Sequence, residues 1–356
     1  MEINYLKLIN FRNYTQFDIN FSSEGALIYG KNGIGKTNLL EAIAYFAFGK
    51  SFQTSHDVDL INFSQKFFRI SAKFNLFEKE LYFECAVDKV QKKIKIDDIK
   101  IPRISELYKY IKVVYFSPDD LGFTAGAPVY RRFFFDQAIS QYSFDYIELL
   151  RKYNRILKQR NALLKKKFGE KEKMVWDKQF VKYGVEIVKR RLNYLKEFIP
   201  VLSQHYFYIS GEKENLQTKY IYSFPLDNNT SLENNFLTYL KKIEVQEIEN
   251  QRSLAGPHLD DIKFDIETHP ARRFASQGQK RSIAIAARLV QAGMISQKDK
   301  EAPILMFDDV LSELDKERTK KILKILKKNH QIFIITPNHE IYKDLALPGI
   351  NLEKIV

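Results

Sequence analysis

Residues Gly30-Lys31-Asn32-Gly33-Ile34-Gly35-Lys36-Thr37 satisfy every fixed position of the phosphate-binding pattern G-x-x-x-x-G-K-[ST]. Each residue type has a chemical reason to be there. The glycines let backbone N–H groups turn toward phosphate oxygens, and the helix that follows adds the partial positive charge of its N-terminus. Lys36 is expected to reach the outer phosphates of a nucleotide, a binding and catalytic role, and the Thr37 hydroxyl to ligate Mg²⁺. Far along the chain the apolar run Ile304-Leu305-Met306-Phe307 enters Asp308-Asp309. An acidic residue at the end of a buried strand is what a Mg²⁺ site requires, so Asp308 would hold the metal opposite Thr37. Asp309 then falls where a base or water-positioning group reaches the attacking water.

Such a site needs a strand before the glycine loop and a helix after it. Ala26, Leu27, Ile28 and Tyr29 form a short apolar run, and Leu39, Leu40, Ile43 and Phe46 recur at helical spacing. Alternation at Phe17, Ile19 and Phe21, at Phe68 through Leu76, at Leu81 through Val87 and at Ile94 and Ile96 predicts a half-buried antiparallel sheet. Val113 to Phe116 make one more strand, closed by Ser117-Pro118-Asp119-Asp120. From Ser143 the apolar positions Tyr146, Leu149, Leu150, Tyr153, Ile156, Leu157, Leu163 and Leu164 mark a helix of about twenty-five residues, roughly 37 Å long. Gly169 breaks it. A second helix carries Val181, Val185, Val188, Leu192, Leu195 and Ile199 and is expected to end at Pro200. The pair is too short for an extended coiled coil. A mixed stretch runs to about Asn250, with a loop at Pro225 to Asn229. Ile322, Leu323, Ile325 and Leu326 mark a helix between Asp309 and the apolar strand Ile332 to Ile335, and strand–helix–strand implies a parallel sheet. The expected organisation is α/β: an ATPase head from residues 1–117 and 251–356, with residues 118–250 inserted as a mainly helical arm lobe.

At 356 residues the chain has the length of roughly two or three domains. Hydrophobic residues make up 45% and charged residues 28%, the composition of an ordinary globular protein with a full core. The net charge of +13 suits a nucleotide, a nucleic acid or an acidic membrane surface, so the placement of charge decides more than its total. Between Arg151 and Glu197 sixteen Lys or Arg stand against five Asp or Glu, an excess of eleven. The cluster includes Arg151, Lys152, Arg155, Lys158, Arg160, Lys165, Lys166 and Lys167 on the first helix and Lys189, Arg190 and Arg191 on the second. One-sided charge on an inserted lobe is the footprint of phosphate contacts. Lys152, Arg155, Lys165, Lys166 and Lys167 are the expected DNA contacts. No base-reading pattern accompanies them, so DNA form should matter more than sequence. The single cysteine, Cys85, lies in an alternating stretch and reads as a core thiol, which leaves no intramolecular disulfide and no cysteine zinc site. No apolar run approaches the ~18–20 residues of a membrane span, and no apolar signal segment opens the chain. A cytosolic location is the default expectation.

Ser276-Gln277-Gly278-Gln279-Lys280-Arg281 precedes an apolar helix. It resembles the signature motif of ABC-type ATPases, whose common form has Ser-Gly-Gly-Gln. Leu311-Ser312-Glu313-Leu314-Asp315 resembles the D-loop of that class, with Asp315 its acidic end. The resemblance implies an ABC-type P-loop ATPase head with a mixed sheet and an antiparallel β-subdomain, using ATP and Mg²⁺. It also implies that Ser276, Gln277, Gly278 and Gln279 act in trans, on the ATP bound by a partner head. A homodimer with two ATP molecules between the heads follows. More narrowly, the opening Leu8-Ile9-Asn10-Phe11-Arg12-Asn13-Tyr14 resembles the start of chromosome-maintenance and repair ATPase heads. Ser51-Phe52-Gln53-Thr54-Ser55, Arg131 to Asp136, Arg160 to Leu164, Leu254 to Asp261 and Ala271 to Gln279 are similar to the RecF family, and this likeness extends from about residue 3 to residue 340.

The RecF resemblance implies a two-lobed head without a long coiled coil, with Arg12 and Asn13 among the nucleotide-binding residues. It implies an ATP-dependent dimer on gapped DNA, weak DNA-dependent ATP hydrolysis, and work in recombinational repair and replication restart with RecR and RecO to place RecA. Two features depart from the wider class. Asp309 stands where glutamate is usual, and no glutamine of the Q-loop type falls near Val114 to Asp120, leaving Ser117, Asp119 or Gln53 for that task. The switch residue stays open among Thr336, Asn338 and His339, and so does the role of His258, Asp260 and Asp261. The competing function is an ATPase subunit of an ABC-type transporter, which the basic lobe and the opening Asn10-Phe11-Arg12 argue against. A nuclease of the overcoming-lysogeny type would need a further acidic domain.

Overall fold

A computed structural model describes residues 1–166, 169–311, 314–326, 330–337 and 347–354. The chain opens with strands β1 (Glu2–Phe11), β2 (Tyr14–Asn20) and β3 (Gly25–Tyr29), then helix α1 (Lys36–Phe48). Strands β4 (Phe67–Leu76), β5 (Lys79–Asp88), β6 (Lys92–Ile96), β7 (Ile99–Lys100) and β8 (Val113–Phe116) follow. Helices α2 (Leu121–Ala125), α3 (Pro128–Tyr142), α4 (Phe144–Leu164) and α5 (Glu170–Ile209) lead to strand β9 (Leu216–Ile221) and helices α6 (Leu232–Lys242) and α7 (Glu244–Asn250). The chain continues through β10 (Asp261–Ile266), β11 (His269–Pro270), α8 (Ala271–Phe274), α9 (Gln277–Asp299), β12 (Ile304–Asp308), α10 (Lys316–Leu326), β13 (Ile332–Thr336) and β14 (Gly349–Asn351).

Residues 1–120 and 285–356 form one compact unit. Its parallel sheet has the order β14-β3-β13-β12-β8, and its antiparallel sheet the order β2-β1-β4-β5-β6-β7. Helix α1 packs against both. Every residue from Leu39 to Phe48 is buried, as befits a helix apolar on all sides. Phe46 meets Phe74 and Phe83 of the antiparallel sheet edge-on, with centroids 5.8 and 6.0 Å apart. Gln331 ties the sheets together. Its side chain accepts from the Ile3 N–H and donates to the carbonyls of Ile3 and Ser22, at 2.8, 2.8 and 2.7 Å, so an amide buried between strands satisfies backbone groups that neither sheet reaches. Cys85 is a core thiol, and burial pushes its pKa up to about 12.

Residues 121–284 form the second unit, built from α3 to α7 and the sheet β11-β10-β9. Two expectations need correction here. The second long helix does not end at Pro200: α5 runs 40 residues, from Glu170 to Ile209, with Pro200 inside it. An interior proline costs about 3 kcal/mol through a lost N–H and a clash with the preceding turn. Leu202, Tyr206 and Ile209 lie beyond it and are fully buried, and burying each contributes about 1.5–3 kcal/mol, which outweighs that cost. The first helix is also shorter than expected, 21 residues. The second correction concerns residues 251–284, grouped above with the head. β10 pairs antiparallel with β9 along its whole length, from Asp261 opposite Ile221 to Ile266 opposite Leu216, so this stretch folds with the lobe.

Candidate nucleotide site

The phosphate loop leaves β3 and enters α1 with Gly30, Gly33 and Gly35 all at positive φ, 146°, 83° and 112°. At Gly35 a Cβ would lie 2.6 Å from the Asn13 amide and 3.0 Å from the Tyr14 hydroxyl, so neither a side chain nor its strain fits. The neighbours hold the loop from outside. Asn13 Nδ2 donates to the Ile34 carbonyl at 2.8 Å, Tyr14 Oη donates to the Gly35 carbonyl at 3.0 Å, and Asn38 Nδ2 donates to Asn13 Oδ1 at 2.8 Å. Lys36 is buried. Its ammonium donates to the carbonyls of Gly30 and Lys31 at 2.7 and 2.9 Å, lying back on its own loop. Burial lowers its pKa against the opposing pull of Asp309, Asp308 and Glu353.

Thr37 and Asp308 are 271 residues apart in sequence, yet Thr37 Oγ1 donates to Asp308 Oδ1 at 3.3 Å. The parallel register of β12 between β8 and β13 brings them together. Tyr115 Oη donates to the other carboxylate oxygen at 2.8 Å. Desolvation raises the Asp308 carboxyl, an effect its two hydrogen bonds oppose. Asp309 follows at φ 52°, its N–H donating to the Ile335 carbonyl at 3.1 Å. Asn32, Lys36, Thr37, Asp308, Asp309 and Pro337 line an open cavity of about 210 Å³. A hydroxyl and a carboxylate side by side at the mouth of a phosphate loop are hard oxygen donors of the kind Mg²⁺ takes when phosphates complete its shell, so the residues present fit that ion.

The remaining expected residues fall in several places. The Arg12 guanidinium is clamped by Glu41, fully buried on α1, at 2.8 and 3.0 Å, and also reaches Gln53 Oε1 at 3.3 Å. Ser117 Oγ accepts from the Asp119 N–H at 3.0 Å and closes the turn after β8. Thr336 is buried at the end of β13, whereas Asn338, His339, Ser312, Glu313 and Lys167 lie outside the described residues. Asp315 caps α10, accepting from the Arg318 N–H at 2.9 Å. In the signature, Ser276 Oγ accepts from the Gln279 N–H at 3.2 Å while Gln279 Oε1 accepts from the Ser276 N–H at 2.7 Å. That reciprocal pair is a capping box that starts α9 and leaves Ser276 and Gln277 exposed. Three residues around the site were absent from the sequence expectations: Glu41, which binds Arg12; Tyr115, which binds Asp308; and Glu353, whose Oε1 accepts from the Lys31 N–H at 2.8 Å. Only Glu41 left a signal, as the one acid within an otherwise apolar helix.

The basic lobe divides in two. Lys152, Arg155, Lys158, Lys165 and Lys166 are exposed, but Arg160, Lys173 and Arg191 are buried and serve the fold. Arg160 binds Asp177 and Glu247, and Arg191 binds Asp136 and the Pro257 carbonyl. Counting Arg160 and Arg191 into a DNA-facing cluster is therefore corrected. His258, Asp260 and Asp261 do not converge on a metal. Asp261 pairs with Arg131, Asp260 accepts from Tyr220 and Ser223, and His258 Nδ1 and Tyr153 Oη share a hydrogen bond of 2.7 Å. Among the described residues no group of three such side chains could hold an ion.

Burial lowers the His258 pKa from 6.5 to about 4. The unfolded imidazole takes its proton near 6.5, so its contribution to stability is complete above that pH. It is lost as pH falls toward 4, about 3 kcal/mol in all. Burial raises Asp260, which works the other way, since its folded carboxyl takes a proton ahead of the unfolded one. His258→Asn should therefore flatten the acid loss of stability between pH 7 and 4.5. Urea midpoints followed by Trp176, the only tryptophan, would measure it. Parallel pH slopes in variant and wild type would place the loss on other groups.

A parallel sheet that carries a phosphate loop and an acidic strand end, with an antiparallel sheet across the first helix, defines the head of an SMC-like P-loop ATPase. The profile of the RecF/RecN/SMC N terminal domain matches residues 2–350. The chain belongs to the RecF family. DNA replication and repair protein RecF of Heliobacterium modesticaldum is 36% identical over 343 residues, covering 94% of this chain and 92% of that protein. The solved structure of the recombination mediator protein RecF-ATP in RecFOR pathway aligns with a TM-score of 0.88 at 31% identity, over 94% of this chain and 92% of that one. The Smc head bound to the C-winged helix domain of ScpA shares the fold, with a TM-score of 0.56 at 19% identity over 97% and 92% of the two chains. No helix among the described residues is long and apolar enough to cross a membrane.

Proposed function

We propose that this protein is an ATP-controlled DNA-binding switch of recombinational repair and replication restart. The observation that carries the reading is the meeting of Thr37 with Asp308 at 3.3 Å beside Lys36 at the mouth of the phosphate loop. Loop N–H groups and the Lys36 ammonium bind the phosphates of ATP. Thr37 and Asp308 would hold Mg²⁺, which would supply charge neutralisation at the outer phosphates. Asp309 positions or deprotonates the attacking water, and an aspartate, one methylene shorter than the usual glutamate, suits slow hydrolysis. The exposed capping box at Ser276 to Gln279 serves a second copy of the chain, reaching the phosphates bound there, so ATP closes a homodimer. Asp315 lies in the loop that follows the acidic pair and belongs to the same interface. RecR and RecO are the expected partners, with RecA loaded downstream, by the RecFOR pathway of the ATP-bound relative.

The exposed cations of α4 and the turn that follows it, Lys152, Arg155, Lys165 and Lys166, contact DNA phosphates without reading sequence. The test is a salt titration of DNA binding with ATP present, comparing wild type with Lys152→Gln/Arg155→Gln/Lys165→Gln. Each lost phosphate contact should reduce the log–log salt slope by about 0.9 on duplex DNA or about 0.7 on single strands. ATP affinity without DNA should stay the same. An unchanged slope would make α4 a merely solvated surface and move the DNA site elsewhere on the chain.

A further inference from the structure

Strand register sets Tyr115 beside the acidic pair. In the parallel ladder Tyr115 stands opposite Met306, two residues before Asp308 on the same strand. Its hydroxyl spans that offset and donates to Asp308 Oδ2 at 2.8 Å, while Oδ1 accepts from Thr37 at 3.3 Å. The last torsion of an aspartate is broad, so a carboxylate left alone has no fixed orientation. Two donors on its two oxygens fix it. The tyrosine is held in turn. Phe52 stacks on its ring, with centroids 4.1 Å apart and planes 26° from parallel. Phe52 belongs to a turn tied at Ser51, whose Oγ accepts from the N–H groups of Gln53 and Thr54 at 2.9 Å each and donates to buried Glu41. Glu41 also clamps Arg12, which reaches Gln53. The turn at 51–54 thus contributes an aromatic support that ends on the Asp308 carboxylate.

We infer that Tyr115 is a positioning residue for the metal: its hydroxyl turns Asp308 so that Oδ1 lies beside Thr37, the pair of residues that would hold Mg²⁺, and Phe52 holds the tyrosine in place. The inference rests on the reading of the cavity as a nucleotide and Mg²⁺ site. Partners that orient a ligating carboxylate typically contribute 10–100-fold to metal affinity. Tyr115→Phe keeps the ring and the stack and removes only the hydroxyl, so the fold should survive it. ATP affinity is measured by titration calorimetry on the full chain, in EDTA and across a Mg²⁺ series. Tyr115→Phe should bind ATP in EDTA as wild type does and need about tenfold more Mg²⁺ for the metal-dependent gain. Phe52→Leu, which leaves the hydroxyl but loosens its ring, should shift the Mg²⁺ curve the same way by less. A wild-type Mg²⁺ curve in Tyr115→Phe overturns the inference while the nucleotide reading stands, and so does an equal loss of affinity in EDTA and in Mg²⁺. ATP binding by wild type that ignores Mg²⁺ altogether removes the nucleotide–metal reading, and this inference with it.

Discussion

Lys36→Met should lower ATP affinity by about a hundredfold or more and abolish the ATP-induced dimer. The ammonium now donates to two loop carbonyls at 2.7 and 2.9 Å in a partly dry cavity. An incoming phosphate exchanges those neutral acceptors for anionic ones, and hydrogen bonds to charged groups are worth about 1.5–3 kcal/mol each. Two such bonds lost amount to at least two factors of ten, at about 1.4 kcal/mol per factor. Methionine has a similar length and no charge, so the loop shape should persist. Asn13 and Tyr14 still hold the loop through the carbonyls of Ile34 and Gly35, so stability should change little. Calorimetric titration with ATP and light scattering with and without ATP are the two readouts. Affinity within threefold of wild type would mean that Lys36 does not meet phosphate.

The second large effect concerns a residue that the charge pattern alone assigns to the wrong task. Arg160→Met should destabilise the helical lobe by about 3–5 kcal/mol. Arg160 is completely buried. It donates to Asp177 at 2.7 Å, to Glu247 at 3.0 Å and to Ser253 Oγ at 2.7 Å, and its guanidinium lies 4.9 Å from the Phe180 ring centre. Glu247 is equally buried and also accepts from the Leu254 N–H at 2.9 Å. Removing only the arginine strands a carboxylate in the interior, and that unpaired charge accounts for most of the loss. Arg160→Met/Glu247→Gln should therefore recover part of it, the coupling expected of groups in one network. Trp176 sits on α5 one residue before Asp177, so its fluorescence in urea reports on this network directly. A loss of unfolding free energy below about 1 kcal/mol would mean that the burial of this ion pair carries little of the lobe's stability. Any loss of DNA binding by this variant should follow loss of folded lobe and leave the salt slope of the remaining binding intact.

The strands around the nucleotide site were legible in the sequence because each reading needs only local information. Fixed glycines at a strand end, a lysine and a threonine at the start of a helix, and a buried strand ending in acid are short-range patterns, and the last of them gains its meaning from the first two. The alternation of Phe68 to Leu76 and of Leu81 to Val87 gave the antiparallel sheet for the same reason: a period of two leaves one face apolar. Pro200 misled because local propensity opposes a helix there while tertiary burial of Leu202, Tyr206 and Ile209 favours it, and the second effect is larger. The boundary near residue 251 was missed because the pairing of β9 with β10 joins residues far apart in the chain, from Asp261 with Ile221 to Ile266 with Leu216, on which neither segment carries a mark.

Sequence by itself determined the phosphate-loop pattern with its lysine and threonine, the acidic pair at a strand end and the net charge of the lobe. These are properties of residue type and spacing. Only the tertiary structure decided which charges are free. Lys152 and Arg160 lie on one helix and look alike in a charge count, yet one is solvated and the other completes a buried carboxylate network. Burial and partnership depend on what packs against a side chain, and that is set by residues distant in the chain: Glu247 for Arg160, Glu41 for Arg12, Tyr115 for Asp308. A sequence states the charge of a group. The fold sets its solvation and its counter-charge, and those fix whether it binds a ligand or holds the protein together.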